Sequence, residues 1–141
     1  MSDTDLHVSI VDTTIEVAPV WNILSNVDAG AHNVFLGKTR RKTGEELTDF
    51  LVYDAYRPMA LSELERIARQ ASDRWDLTCL VIIHRLGRVG LDEASVAIGA
   101  SSPHRKDVFM AVPWILEELK KTVPIWKQEN WQDGRTEWVH P

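Results

Sequence analysis

The chain has 141 residues, of which 44% are hydrophobic, and this is enough for one folded unit with a real core. Its formal net charge of −5 argues against general nucleic-acid binding, and no apolar stretch is long enough to cross a bilayer. The first residues lack the basic-then-apolar order of a signal peptide, and the single cysteine excludes an intrachain disulfide. We therefore expect a cytoplasmic protein with one domain covering residues 1–141.

The first half of the chain predicts alternating strands and helices. Strands are predicted at residues 8–15, Ala31–Lys38 and 47–56. A short helix is predicted at residues 20–27, and a longer helix opens at Pro58 and runs to about Trp75. Residues 39–46, between the second and third strands, form a basic loop.

The second half predicts a buried strand, a long helix and a closing hairpin. The apolar run at residues 78–85 is typical of a central strand, with Cys79 as a buried free thiol and His84 as a hydrogen-bonded core residue. The glycines of residues 87–90 turn the chain into another strand at residues 93–100. The last elements are a helix at residues 102–122 and two strands at Ile125–Trp131 and 136–140. This strand-rich order with three helices predicts an α+β fold.

Two familiar kinds of site are excluded by residue spacing. Gly37-Lys38-Thr39 imitates the end of a phosphate-binding P-loop, but that loop needs a glycine at the position of His32. The five histidines are scattered, with no paired spacing and no cysteine partners. We therefore predict no metal site.

The start of the long helix carries two cationic side chains at the end of a helix that favours anions. Ser102 is a suitable cap and Pro103 suits the first helical position, so His104 and Arg105 stand where free backbone N–H groups point. This combination predicts a phosphate or carboxylate site. The alternative is that both side chains point outward and are simply solvated.

The same helix predicts an apolar stripe with a lysine at its edge. The stripe consists of Val108, Phe109, Val112, Ile115, Leu116 and Leu119. Lys120 falls at its border, while Lys121 points to the outer face, and Pro113 is expected to kink the helix. An ammonium at an apolar border is partly desolvated, which lowers its pKa and raises its nucleophilicity. The alternative is a lysine that snorkels from the edge of the core.

Five short motifs stand in a fixed order along the chain. They are Gly37-Lys38-Thr39-Arg40, Ile83-His84-Arg85-Leu86-Gly87, Ser102-Pro103-His104-Arg105, Leu119-Lys120 and Pro124-Ile125-Trp126-Lys127, followed in the tail by Asp133-Gly134 and Glu137-Trp138-Val139. In this order they resemble the MoaE family, the large subunit of molybdopterin synthase, over residues 8 to 139. The resemblance implies a single-domain α/β-hammerhead fold with an antiparallel sheet. It also implies a central homodimer with a ubiquitin-like small subunit docked at each end, which makes a heterotetramer.

The resemblance further implies an activity and roles for named residues. The Gly-Gly tail of the small subunit carries a thiocarboxylate, which supplies sulfur, and two sulfurs are added to cyclic pyranopterin monophosphate to make the dithiolene of molybdopterin. Lys120 matches the catalytic lysine and Lys127 the second lysine of the pterin site. The matching substrate-binding residues are Lys38, Thr39, Arg40, His104, Arg105, Gln128 and Glu129, besides the two lysines. No metal or organic cofactor is implied.

Alternatives to this enzyme remain open on the residues alone. One is a non-catalytic dimeric module that holds an anionic ligand or a ubiquitin-like partner. A nucleic-acid binder using residues 38–42 is disfavoured, because that basic run lacks interleaved aromatic residues and the rest of the chain is acidic. Four tryptophans are candidates for interfaces, because they exceed what a small core buries: Trp114, Trp126, Trp131 and Trp138.

Overall fold

Strands and helices follow one another in the mixed α+β order that the sequence predicts. The computed structural model describes residues 3–140. Its elements are β1 (Asp5–Val11), α1 (Val17–Leu24), β2 (Ala31–Lys38), β3 (Lys42–Thr43), β4 (Glu46–Ala55), α2 (Arg57–Arg74), β5 (Cys79–Arg85), β6 (Gly87–Gly90), β7 (Ala94–Ser102), α3 (Arg105–Thr122), β8 (Ile125–Trp131) and β9 (Thr136–Val139). β2 and β8 have the predicted bounds.

β5 and β7 form the centre of a four-stranded sheet with the order β1-β5-β7-β2. The pairs within it are antiparallel except for β1, which runs parallel to β5 at the edge. β7 is buried along its whole length, and β5 is buried at every residue but Ile83, as its apolar run predicts. On one face lies α1, whose Leu24 would be only 2.9 Å from a Cβ atom at Gly99. A glycine at this position lets the helix lie close on the sheet.

β4 is the longest strand of a second sheet, which has the order β3-β4-β8-β9 with β6 also paired to β4. Leu51, Tyr53 and Ile125 of this sheet belong to the same hydrophobic core as Leu80 and Ile98 of the first sheet. Residues from α2 and α3 complete this core. The shared core fixes the two sheets relative to each other, and it thereby sets the shape of the space between β2, β4, β8 and the end of α3.

The sequence pattern missed two strands: β6, and the short β3, which lies in the predicted basic loop and pairs with residues 46–47 of β4. Gly87–Gly90, predicted as a turn, pairs with residues 50–53 of β4. Gly87, the first residue of β6, has a φ of 88°, in the left-handed region that glycine adopts without steric cost, and the turn into β7 lies at residues 91–92. β1 also differs from the prediction, because its parallel register with β5 places it at Asp5–Val11 and not at 8–15.

The long helix α3 begins at Arg105, so the predicted start at Ser102 is wrong. His104 is the N-cap and makes no side-chain capping bond, while the Ser102 hydroxyl donates to the His104 carbonyl oxygen. Pro103 therefore lies before the helix. α3 runs unbroken through Pro113, which is exposed.

The apolar stripe of α3 is rotated relative to the prediction. Its buried residues are Val108, Ala111, Val112, Ile115 and Leu119. Phe109 is 59% exposed, so its assignment to the buried stripe is wrong, and Ala111 takes that place against the core. Trp114, expected to face away from the core, packs at its margin with its ring centroid 5.5 Å from that of Trp75. Among residues 3–140, each helix is too short or too polar to cross a membrane.

Candidate functional site

A cleft opens where the end of β2 faces β4, β8 and the last turns of α3. It consists of an outer chamber of about 440 Å³ and an inner chamber of about 190 Å³. Both are lined by Lys38 of β2, Tyr53 of β4, Lys120 of α3 and Lys127 of β8, so the chambers are continuous. Side chains from four elements therefore meet here because the two sheets share one core.

The outer chamber has a cationic wall. Lys38, Arg40, Lys120 and Lys127 line it together with the single carboxylate of Glu129. Lys127 and Glu129 reach the same face of β8 because alternate residues of a strand point the same way. In a chain with a net charge of −5, this local excess of positive charge predicts an anionic ligand.

Glu129 is held in place by neighbours on two strands. Its carboxylate lies 3.8 Å from Nζ of Lys127 and accepts a hydrogen bond of 3.4 Å from the Thr48 hydroxyl. Lys38 is paired at the surface, where its Nζ donates a hydrogen bond of 3.2 Å to an exposed carboxylate oxygen of Asp92. Lys120 and Arg40 are exposed and have no hydrogen bond or ion pair to any residue between 3 and 140. The partial desolvation expected for Lys120 is therefore absent in the isolated chain.

Thr39 brings an unpartnered polar atom to the outer chamber. The residue is 4% exposed, and its Oγ1 finds no hydrogen-bond partner within the described part of the chain. Its backbone is fixed, because its N–H donates to the Glu93 carbonyl at 3.1 Å and its carbonyl accepts from the Asp92 N–H at 2.9 Å. Buried polar atoms are almost always hydrogen-bonded in native proteins, so this hydroxyl is a candidate contact for a ligand of the chamber.

The inner chamber is mostly apolar and holds a neutral histidine. His84 is 3% exposed, as predicted for a core residue, and its ring centroid lies 5.3 Å from that of Tyr53 in an edge-on arrangement. Burial lowers the pKa of His84 to about 4, and burial also raises the pKa of the Tyr53 hydroxyl. Both groups are therefore uncharged at neutral pH. The remaining walls include Phe35, Leu116 and other apolar residues.

Three of the residues predicted for the site do not line the cleft of a single chain. Gln128 lies between Lys127 and Glu129 on β8, so strand alternation turns it to the opposite face. His104 and Arg105 lie at the far end of α3, about 22 Å from Lys120 at 1.5 Å per residue. They line an open depression of about 490 Å³ with Lys106 and the exposed Phe109 and Met110. The predicted cluster of Arg40, His104 and Arg105 is therefore not formed within one chain.

The cleft also contains residues that the sequence did not single out as functional. Phe35, Thr48 and Ser95 line it, and only the alternation of apolar and polar residues along their strands hinted at their direction. Ser95 is held by a hydrogen bond of 3.3 Å from its hydroxyl to the Gly37 carbonyl. These side chains shape the walls and do not bring further charge.

One group of possible metal ligands lies away from the cleft. In residues 3–140 the ligand atoms of Asp5, His7 and Cys79 lie within 4.8 Å of one another, because β1 pairs with β5. His7 is already bound to Asp5 at 2.8 Å, and the Cys79 thiol lies 3.5 Å from the Ile23 carbonyl. Burial, with a contribution from Asp5, raises the pKa of Cys79 to about 11. The thiol is therefore protonated at neutral pH in the isolated chain.

Comparisons with known proteins agree on one family. The family model described as MoaE protein matches residues 10–122. The molybdopterin synthase catalytic subunit of Drosophila erecta is 41% identical over 134 residues, which cover 94% of this chain and 36% of the relative. That of Halalkalibacterium halodurans is 36% identical over 136 residues, which cover 96% and 86%. The crystal structure of molybdopterin synthase from Staphylococcus aureus superposes with a TM-score of 0.86 and 37% identity, covering 92% of this chain and 94% of that one. The chain thus spans about a third of the length of its insect relatives and most of the bacterial ones.

Proposed function

The chain belongs to the MoaE family, and on this premise we propose that it is the catalytic subunit of a molybdopterin synthase. In this role it transfers sulfur from the C-terminal thiocarboxylate of a ubiquitin-like small subunit to cyclic pyranopterin monophosphate. The observation that carries the proposal is the cleft, where Lys120 and Lys127 meet on the walls of both chambers. A thiocarboxylate and a phosphate are both anions, and this is the wall that attracts them.

The two chambers suit the two reactants differently. The inner chamber is narrow and mostly apolar, which suits a glycine tail because only glycine allows walls to approach a backbone closely. The outer chamber is wider and cationic, which suits the pterin and its phosphate near Lys38, Thr39 and Arg40. The thiocarboxylate then ends where the chambers join, between Lys120 and Lys127.

The proposed chemistry is sulfur transfer without a nucleophile from this chain. The thiocarboxylate sulfur attacks a carbon of the pterin and an oxygen leaves, and water then cleaves the acyl–sulfur bond, which releases the tail as a carboxylate. The Lys120 ammonium offsets the charge of the thiocarboxylate and donates a proton to the leaving oxygen. Lys127, oriented by Glu129, holds the substrate from the opposite wall. Cys79 is buried and protonated, which fits a reaction that needs no thiol of its own.

His104 and Arg105 enter this proposal through a second copy of the chain. They are too far from Lys120 to share its ligand within one chain, yet the MoaE resemblance assigns them to the anion site. The proposed homodimer reconciles this distance with that assignment, because the start of α3 in a second copy reaches the outer chamber of the first. Phe109 and Met110, exposed by 59% and 53% beside these cations, give that surface the apolar character of an interface.

The small subunit is the second proposed partner, giving a heterotetramer with two copies of each chain. Of the four tryptophans considered for interfaces, Trp126 and Trp138 are exposed on the second sheet, by 44% and 53%, and are available for such contacts. Trp114 and Trp131 are partly buried in the chain itself. The proposed chemistry requires no metal or organic cofactor.

The decisive experiment is reconstitution from purified components. The protein is mixed with a thiocarboxylated small subunit and cyclic pyranopterin monophosphate, and molybdopterin is assayed. We expect product with the wild-type chain and almost none with Lys120→Ala. Tight binding of both partners without any product would instead favour a non-catalytic dimeric module. Light scattering on the protein alone tests the homodimer, since a monomer at micromolar concentration contradicts it.

A further inference from the structure

One ring nitrogen in the inner chamber has no partner. Nδ1 of His84 lies 3.0 Å from the Arg85 carbonyl oxygen, and a carbonyl oxygen only accepts hydrogen bonds. Nδ1 therefore carries the proton of the neutral ring, and Nε2 is left with its lone pair. No hydrogen bond reaches Nε2 from any residue in the described range 3–140. His84 thus offers the chamber a fixed acceptor.

The other polar groups of the inner chamber are donors or are already engaged. Lys38, Lys120 and Lys127 are cations and only donate. The Ser95 hydroxyl donates its proton to the Gly37 carbonyl at 3.3 Å. A protonated His84 would be a fourth cation beside the three lysines, but burial keeps the imidazole neutral, with its pKa lowered to about 4. The chamber therefore combines several donors for an anion with the unpartnered histidine acceptor, beside the hydroxyls of Tyr53 and Ser95, which interact with each other and can each donate or accept.

An extended peptide that ends in a carboxyl group has hydrogen-bonding groups that complement those of the chamber. Its terminal oxygens accept from the lysines, but its last peptide N–H must find an acceptor once it leaves water. Phe35, Val96, Leu116 and Leu119 offer none through their side chains. Nε2 of His84 is suited to this N–H because it can only accept and has no donor of its own within residues 3–140.

We propose that His84 is a positioning residue that accepts a hydrogen bond at Nε2 from the last peptide N–H of the bound Gly-Gly tail. This bond fixes the depth and rotation of the terminal carboxyl group between Lys120 and Lys127. This role rests on the proposed function, because the Gly-Gly tail is the ligand. It makes His84 a further residue of the tail site, beside Lys120 and Lys127.

The test compares two short synthetic peptides that end in Gly-Gly with a free carboxylate, which stands in for the thiocarboxylate. In the second peptide an ester oxygen replaces the last peptide N–H. Binding to the full-length protein is measured by calorimetry. We expect the ester peptide to bind about 10-fold more weakly to the wild-type chain, as for the loss of one hydrogen bond.

Two variants of His84 separate positioning from packing. Asn at this position retains a δ-amide for the Arg85 carbonyl but has no acceptor at the ε position, so His84→Asn should bind both peptides equally weakly. His84→Gln places an oxygen at the ε position and should restore part of the preference for the amide peptide. A purely structural role would change both affinities together and leave their ratio as in the wild-type chain.

The outcomes distinguish this role from the proposed function. Equal affinity of the two peptides for the wild-type chain overturns the role of His84, while peptide binding that depends on Lys120 keeps the proposed function intact. An unchanged ratio in His84→Asn also overturns the role. If neither peptide binds the wild-type chain, the proposed tail site fails and the role of His84 fails with it. The comparison of the amide and ester peptides on the wild-type chain tests the role of His84 even if a variant does not fold.

Discussion

The two ends of α3 carry cations in very different surroundings. At the carboxyl end, Lys120 lies in a walled cleft that the chain builds from β2, β4 and β8. At the amino end, His104 and Arg105 lie on an open depression beside the exposed Phe109 and Met110. A single chain builds the walls around Lys120, whereas the start of α3 lies on an open surface that, in the proposed dimer, reaches the cleft of a second copy. A cationic side chain therefore indicates a binding site only where other residues form a cleft around it.

The largest expected effect is at the carboxyl end of α3. Lys120→Ala should lower the rate of molybdopterin formation by at least about 100-fold, because it removes a proton donor at the reacting centre. Lys121→Ala is the matched control, since Lys121 is exposed, lines neither chamber and should be close to neutral. Single-turnover assays of both variants, with circular dichroism to check folding, measure the contrast. Equal losses in the two variants would contradict the assignment.

A pH titration tests how closed the inner chamber is. The pKa of His84 is lowered from 6.5 to about 4. Between these pH values the unfolded chain therefore binds a proton at His84 that the folded chain does not bind. The folded state should therefore lose up to about 3 kcal/mol of stability as pH falls from 6.5 to 4. Urea unfolding at a series of pH values measures this loss. His84→Phe should show a shallower decline, and an identical slope would show that the chamber is open to water.

The amino end of α3 should respond mainly in ligand binding. Arg105→Ala should weaken binding of cyclic pyranopterin monophosphate by about 10- to 100-fold, because a charge-assisted contact contributes about 1.5–3 kcal/mol. Lys106→Ala removes the neighbouring exposed charge and is expected to have a much smaller effect. Calorimetry on the dimer measures the affinity of each variant for cyclic pyranopterin monophosphate. Equal effects of the two changes would mean that only the general positive charge of this end matters.

The smallest effect concerns the Thr39 hydroxyl. Thr39→Val retains the shape and removes the unpartnered Oγ1, so substrate binding should weaken by about 10-fold or less, the effect of one neutral hydrogen bond. Stability in urea should not fall, because the folded chain makes no bond through that atom. A loss of stability without a loss of binding would show that Oγ1 serves the fold and not the ligand.

The fold was predictable where the pattern is local. β2 and β8 have their predicted bounds because alternation and turn residues lie within each segment. β6 was not predictable, since four residues with two glycines show no alternation and the strand exists through its pairing with β4. The rotation of the α3 stripe has the same origin. Phe109 is more apolar than Ala111, but the core accepts the small residue where the helix packs closely.

The cationic lining of the cleft was predictable from the sequence, and its assembly was not. The family motifs identified Lys38, Thr39, Arg40, Lys120, Lys127 and Glu129, and these line one cleft. Strand alternation would already have separated Gln128 from its two neighbours. The distance between the ends of α3 follows from helix length alone, so the sequence also implied that Arg105 and Lys120 do not share a ligand within one chain. The place of His84 in the cleft depended on tertiary contacts that no spacing reveals.

The edge position of β1 has a consequence for how the chain folds. Residue 5 pairs with residue 79, and residue 31 pairs with residue 102, so both edges of the first sheet join parts of the chain that are made far apart in time. Contacts between distant segments form slowly, because the chain loses the entropy of closing a long loop before those contacts can stabilise it. During synthesis the amino-terminal strand therefore waits unpaired until β5 emerges. A chaperone that protects exposed strand edges is expected to act at this stage.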